Sequence, residues 1–464
     1  MNKPKYRFIQ TLFDQGGEVY EVGGTVRDHL LHRSHKDNDL LVTKLSYTQI
    51  LDILKPLGEV FTVGKSFGVI KFHPKESPDL CFDLALPRKE VSTGVGHRDF
   101  EVDFNPDLPV EFDLARRDFT INAMALHLKK QTLIDPFGGE EDLKGKILRA
   151  VSDRAFEEDP LRLLRGIQFA ARFELIVEEK TLASIKKNAS LIQTVSVERI
   201  AEEIRKLFLA RQPSRGFVLM QQTGLLGHVF PELEQNVGVK QGNKIRNDDV
   251  FMHTMRVLDA SREDKAIPSA GDLELMLSAL YHDVGKARTR RFVPEKNRIT
   301  FYGHQTLSNK MARKRFQVLK LSTIGVDVER VANLIEHHMF QTKSFFSDRA
   351  IRRFINKVGP DLILKLVDLR LADNRGGKYP EGIHGVLRLR KKIAEELANQ
   401  PPLSPKDLAV SGFDIMKLGV PEGPLVGQIL KDLLEVVIDN PERNNQEELI
   451  QLAKEIIQKE QGKK

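Results

Sequence analysis

Apolar residues recur along this chain with two different periods, and the change between them falls near residue 150. Before it, the runs Val19–Val22, Asp39–Val42, Val69–Phe72 and Cys81–Leu84 read as short strands, with Gly58, Gly64 and Gly68 punctuating their connections. The stretch from Ser92 to Glu111 is rich in Gly, Asp, Pro and Phe and reads as a loop. From about Glu158 the spacing turns helical: Leu161, Leu164, Ile167 and Phe169 recur at that interval, and so do Ile200, Ile204, Leu207 and Phe208. A polar connector from Gln235 to Asp249 precedes a second helical unit running from about Val250 to Arg375. Pro401, Pro402 and Pro405 break the pattern before a last helical segment. The expected class is α+β. A small mixed-sheet domain over 1–150 is followed by helical regions over 151–240, 241–385 and 386–464.

Composition narrows the field. At 464 residues the chain is too long for one typical domain. Its 41% hydrophobic and 30% charged content is that of an ordinary globular protein, not of a disordered or membrane-embedded one. The formal charge of +7 suits an anionic partner such as RNA, and equally a solvated basic surface. Cys81 stands alone, which excludes an intramolecular disulfide and fits a reducing compartment. Met1 to Gln10 is polar and basic with no apolar core after it, unlike a signal peptide. No apolar run approaches a membrane span, so a cytoplasmic location is expected.

The candidate chemistry begins at Gly23-Gly24-Thr25-Val26-Arg27-Asp28, followed by Asp37-Asn38-Asp39. Glycines let backbone N–H groups approach phosphate oxygens closely, and Arg27 adds a cation. Asp37 and Asp39, two apart on a strand, would point to one face and could hold Mg²⁺. Asp83, between apolar neighbours, is either a third carboxylate or a strand-end aspartate bonded to backbone. In Arg116-Arg117-Asp118 the arginines could grip phosphates bidentately, or simply start a helix. Asp159 and Arg162, three apart on an expected helix face, offer acceptors and a donor fork suited to base edges, or a plain ion pair. Farther on, His253, His282, Asp283, His304, His337, His338 and Asp373 form a second set of metal-ligand types. Such a set suits a divalent metal that activates water for phosphoester hydrolysis.

The order Gly-Gly-x-Val-Arg-Asp, Asp-x-Asp, Arg-Arg-Asp-Phe-Thr-Ile-Asn-Ala (116–123), Asp-Pro-Phe-Gly-Gly (135–139) and Glu-Asp-Pro-Leu-Arg (158–162) resembles the class II CCA-adding tRNA nucleotidyltransferases. These belong, with bacterial poly(A) polymerases, to the polymerase-β-like nucleotidyltransferase superfamily. The resemblance implies a nucleotidyltransferase head, a helical neck and body, and a helical tail. It implies that Gly23, Gly24 and Arg27 contact the nucleotide phosphates, that Asp37 and Asp39 bind Mg²⁺, and that Arg117 supports the nucleotide. Asp159 and Arg162 would be an amino-acid template for CTP and ATP, with Arg165 assisting and tRNA as acceptor. Gln168 stands where relatives often carry a further arginine. The loop 93–100 resembles the flexible element used to switch from C to A, and Ser196–Glu203 resembles the helix that braces the neck. The histidine set resembles the HD phosphohydrolases, whose minimal ligands map to His253, His282, Asp283 and Asp373. His304 and His337 or His338 would be additional ligands, and Asp373 is preferred to Asp368.

Overall fold

The structure, a computed structural model, describes residues 7–33, 38–63, 68–92, 100–241, 249–341, 347–377 and 382–461. It divides into two compact units: Met1–Ala210 with Val218–Val229, and Arg211–Phe217 with Phe230–Lys464.

The first unit is built on strands β1 (Glu18–Val22), β2 (Asp39–Thr43), β3 (Gly58–Val63), β4 (Val69–Pro74), β5 (Phe82–Ala85), β6 (Arg88–Ser92), β7 (Phe100–Phe104), β8 (Ala125–His127) and β9 (Thr132–Ile134). Seven of them form one mixed sheet in the order β3-β4-β5-β2-β1-β8-β9, with β2 and β5 parallel. Alternation along β2 sorts its side chains between two cores. Leu40 and Val42 join Phe8, Ile50, Leu54, Phe72 and Leu84 on one face, while Leu41 joins Val22, Val110 and Leu114 on the other. Asp39, two residues before Leu41, therefore belongs to the Leu41 face, where the Val110–Ala115 helix packs.

One expectation is corrected here. Ser92–Glu111 is not a loop throughout: β6 and β7 pair as an antiparallel hairpin and Val110 opens a helix, with residues 93–99 outside the described ones. The expected strands around Val19, Asp39, Val69 and Phe82 all form. So do the helices Leu161–Arg172 and Val197–Leu207, the latter burying Ile200, Ala201, Ile204 and Leu207 on one stripe.

Among the described residues the second unit is helical apart from one short hairpin. Val250–Arg262 and Leu273–Tyr281 are N-capped by Asp249 and Asp272, whose carboxylates accept from the Met252 and Leu275 N–H groups. These helices, with Val328–His337, Asp348–Val358, Ile363–Gly376 and His384–Ala398, enclose a core that includes Val257, Leu275, Leu334, Ile355, Leu366 and Ile393. A separate core of Ile415, Ile429, Leu433, Val437 and Leu449 closes the C-terminal segment. Among the described residues no helix is long and apolar enough to cross a membrane.

Candidate active sites

In the first unit the parallel register sets Asp39 directly beside Asp83. Partners in a parallel ladder face the same side, so the two carboxylates share one face of the sheet about 4.8 Å of strand spacing apart. Lys71, on the neighbouring β4, donates to both Asp83 oxygens at 3.0 Å. Asp37 lies outside the described residues.

The chain leaves β1 through Gly23, whose φ of +67° favours glycine. A Cβ there would fall 2.3 Å from Nη1 of Arg117. The first turn of the following Gly24–Leu30 helix has N–H groups with no partner inside that helix. Two arginines thus flank the glycine turn: Arg27, whose Nη2 would lie 3.5 Å from a Cβ at Gly24, and Arg117, held by Asp113 through its Nε and Nη2 at 3.3 and 2.9 Å. Arg27 is only 7% exposed. Its guanidinium donates to Asp28 at 2.7 Å and to Asn122 at 2.7 Å, and stacks over Phe173 at 4.3 Å. Gly23→Ala adds both a backbone penalty and the Arg117 clash. It should cost about 1–2 kcal/mol, read as a lower melting temperature; an unchanged melting temperature would contradict this packing.

Asn122 also donates to Asp118 at 3.0 Å, and Asp118 accepts from Arg165 at 2.8 Å and from the Phe119 N–H. Burial alone would raise the Asp118 carboxyl; the Arg165 charge and these bonds outweigh it and hold the group below the usual carboxylate range. Arg165 lies 3.8 Å from the buried Glu203. A continuous polar chain therefore runs Arg27–Asn122–Asp118–Arg165–Glu203. Arg165 thus fixes the Arg116–Asn122 segment that carries Arg117.

Asp159 is not on a helix with Arg162: it caps the short Ala155–Glu158 helix with extended backbone, and Pro160 then starts the next one. A proline following Asp159 disfavours helical backbone there. Asp159 accepts from Arg199 at 3.0 Å. Arg162 donates to the Ala155 carbonyl at 3.1 Å, to Glu158 at 3.3 Å and to the Arg116 carbonyl. Gln168 is buried and accepts from Arg172 at 3.2 Å.

In the second unit the metal-ligand types converge. Two groups each bring three potential ligand atoms within 4.8 Å of one another: His253, His282 and Asp373, and Asp283, His304 and His338. Asp283 faces both. Its Oδ2 lies 3.1 Å from His282 Nε2 and 3.5 Å from His253 Nε2, and its Oδ1 lies 3.2 Å from His304 Nε2 and 3.8 Å from His338 Nε2. Asp373 Oδ1 stands 3.2 Å from His253 Nε2. Each histidine sets Nδ1 against a main-chain carbonyl: His253 on Gly376 at 3.2 Å, His282 on Ala279 at 2.8 Å, His304 on Phe301 at 2.8 Å and His338 on Ile335 at 2.7 Å. A carbonyl only accepts, so in the neutral ring Nδ1 carries the proton and Nε2 presents its lone pair to the cluster. Gly285 permits the closure, since a Cβ there would meet the His304 carbonyl at 2.6 Å.

The donor set fits a metal on a further observation. His282 Nε2 is buried without a partner in hydrogen-bond geometry. Burial above all pushes His338 down to about 3, which keeps that imidazole in the neutral form a ligand requires. Burial would raise Asp283, but His282 and Lys286, whose Nζ is 2.6 Å away, hold it well below the usual range. Of the adjacent pair His337 and His338, His338 is the one that joins the cluster, while His337 lines a separate surface pocket with Arg313 and Asn333. At the end of the Val328–His337 helix, consecutive residues point about 100° apart, so only one of the pair can face inward. Asp368 is engaged elsewhere, by Arg390 at 2.7 Å and Ser269 at 2.6 Å.

Comparison with known proteins assigns the domains that carry the two clusters. Residues 19–149 match the Poly A polymerase head domain, 174–236 the probable RNA and SrmB-binding site of polymerase A, and 250–375 the HD domain. A multifunctional CCA protein of Nitrosococcus oceani is 36% identical over 326 residues, 68% of this chain and 75% of that protein. The chain belongs to the CCA-adding tRNA nucleotidyltransferase family. It therefore falls among the nucleotidyltransferases, with an HD domain in its second unit. Within the same family, the A-adding tRNA nucleotidyltransferase of Deinococcus radiodurans is 34% identical over 74% of this chain and 78% of that protein. The fold is shared with the Bacillus stearothermophilus CCA-adding enzyme in complex with CTP, at TM-score 0.70 and 24% identity over the whole of both chains. The Thermotoga maritima CCA-adding enzyme complexed with tRNA matches at TM-score 0.56 and 20% identity, over 97% of this chain and 94% of that one.

Proposed function

We propose that this enzyme builds or repairs the 3′-terminal CCA of tRNA from CTP and ATP, choosing each nucleotide with its own side chains. The observation that carries the reading is the Asp39–Asp83 carboxylate pair, in one unit with the Gly23 turn, Arg117, Asp159 and Arg162. Asp39 and Asp83, with Asp37, offer the oxygen ligands that Mg²⁺ takes, and the ion when bound would neutralise triphosphate charge. Gly23, Gly24 and Arg117 hold the phosphates. Arg27 orients Asn122, and with it the segment that carries Arg117. In the transfer the tRNA 3′-oxygen bonds to the α-phosphorus, pyrophosphate leaves, and Asp39 helps take up the hydroxyl proton. Asp159 and Arg162 exchange their present partners, Arg199 and Glu158, for the base edge.

In the second unit, His253, His282 and Asp373 on one side and His304 and His338 on the other would hold a divalent metal pair about Asp283. Imidazole-rich donors favour a transition metal. The chemistry supplied is activation of water for hydrolysis of 2′,3′-cyclic phosphates and 2′-nucleotides. We assign 1–150 to the transferase head, 151–240 to the neck and body, 241–385 to the hydrolase and 386–464 to the tail, and place the enzyme in the cytoplasm with its tRNA.

The template reading is tested on the nucleotides. The parent should incorporate CTP and ATP and refuse UTP and GTP on a tRNA lacking its end. Asp159→Ala should cut the kcat/KM preference for CTP over UTP by about 10- to 100-fold, the scale of lost base-edge bonds of about 1–3 kcal/mol. The Asp159–Arg199 pair is partly exposed, so stability should change by no more than about 1 kcal/mol. Unaltered selection in this variant would overturn the assignment. A second reading, addition of A alone, is favoured by the 34% identity to the A-adding relative. It predicts no incorporation of CTP.

A further inference from the structure

Between the metal ligands Asp283 and His304 the chain makes an excursion that the ligand set does not need. Residues 286–302 include Lys286, Arg288, Arg290, Arg291, Lys296 and Arg298 against the single acid Glu295. The excursion is an antiparallel hairpin, Arg291–Val293 paired with Arg298–Thr300, with Asn297 in left-handed backbone at φ +42° closing its turn. Its aromatic residues are not used as core. Phe292 is 59% exposed and Tyr302 is 67% exposed, although burial of rings this large would be favourable. Arg291, Lys296 and Arg298 are exposed as well.

The base of the hairpin is tied to the metal cluster. Lys286 Nζ donates to Asp283 Oδ2 at 2.6 Å and lies 5.4 Å from the centre of the Phe301 ring. Phe301 in turn accepts on its carbonyl from His304 Nδ1, and Tyr302 stands two residues before that ligand. Lys296 Nζ donates to the Tyr302 hydroxyl at 3.2 Å, which holds a cation next to the exposed ring. Exposed rings interleaved with arginines are the elements of a single-strand nucleic-acid platform: bases stack on the rings and the cations follow the phosphates. A hydrolytic site for free nucleotides would need no such platform.

We propose that this hairpin is a docking surface for the single-stranded end of an RNA. It would deliver terminal 2′,3′-cyclic or 2′-phosphates to the metal cluster, so that the hydrolase substrate is an RNA end rather than a free nucleotide. The proposal rests on the hydrolase reading of the second unit for its substrate, and on the hairpin alone for its binding.

Two measurements on the full-length protein separate those dependencies. The first compares kcat/KM for a short single-stranded RNA ending in a 2′,3′-cyclic phosphate with that for the cyclic mononucleotide. The parent should prefer the RNA. The double variant Phe292→Ala/Tyr302→Ala, which changes only exposed side chains, should lose about ten-fold or more of that preference, the scale of one lost stacked base. Arg291→Gln/Arg298→Gln should flatten the salt dependence of RNA hydrolysis. A preference ratio untouched by the aromatic substitutions would overturn the proposal. The second measurement places 4-thiouridine at the terminal nucleotide of the same RNA and maps photochemical crosslinks by peptide. Crosslinks within residues 288–302 are expected, and crosslinks confined to other peptides would overturn docking. If the parent hydrolyses neither substrate, the hydrolase reading falls by itself, and the crosslink map alone decides whether the hairpin binds RNA.

Discussion

Replacing Asp39 by asparagine should reduce nucleotide transfer by at least about 10³-fold if, as proposed, its carboxylate holds the metal, since such a ligand is worth several kcal/mol in the transition state. The substitution keeps the shape of the side chain and removes only its charge. Asp39 opens β2, where its backbone pairs with Asp83 in the parallel register and its N–H lies 3.4 Å from the Thr25 hydroxyl. The ladder does not depend on the carboxylate, and the Lys71–Asp83 pair remains. The melting temperature should therefore stay within about 4 °C of the parent. The measurement is single-turnover incorporation at saturating Mg²⁺, alongside hydrolysis of a 2′,3′-cyclic phosphate by the same preparation. Transfer should fall while hydrolysis persists, since the two centres lie in different units. A loss smaller than about ten-fold would mean that Asp39 does not hold the metal.

The second large effect is expected at Asp283. Its two oxygens face histidines of the two groups separately, so Asp283→Ala removes the carboxylate that both groups meet. Hydrolysis should fall by about 10³-fold or more, on the scale of losing metal-assisted chemistry, and bound metal measured by elemental analysis should fall with it. Lys286 loses its 2.6 Å partner, so a modest decrease in melting temperature should accompany the loss. CTP and ATP incorporation should persist. The adjacent histidines sharpen the test: His338→Ala should release metal, whereas His337→Ala should retain both metal and hydrolysis. Metal retained in Asp283→Ala, or released equally by both histidine variants, would contradict the arrangement around Asp283.

The candidate-site residues most legible in the sequence are those whose spacing or neighbours are local. The strands around Val19 and Asp39 show as short apolar runs, and the pairing of His282 with Asp283 marks one side of the histidine cluster directly. Asp373 stands with His253 and His282, whereas Asp368 is taken up by Arg390 and Ser269. Lys71 carries no comparable signal. It reaches Asp83 only through the register of β4 against β5, a long-range property that no window of sequence contains. The same holds for Asn122, whose link to Arg27 joins residues 95 positions apart. His337 and His338 differ by a single step at a helix end, where the direction of each ring depends on where the helix stops. The hairpin of β6 and β7 is different, because its signal was present. Phe100-Glu101-Val102-Asp103-Phe104 alternates with period two, and the surrounding Gly, Asp and Pro outweighed it in a composition-based reading. Asp159 shows the reverse error: the three-residue spacing to Arg162 suggests one helix face, but the intervening proline ends one helix and begins another.

The most direct test of the whole account is the sequence of the product. Purified enzyme is given three acceptors with CTP and ATP together: a tRNA ending before CCA, a tRNA ending in CC, and an unrelated RNA. The 3′ ends are then read nucleotide by nucleotide. Both tRNAs should finish at CCA and stop, and the unrelated RNA should be left unextended. Runs of A on any acceptor, or A added only to the CC-ending tRNA, would contradict the account.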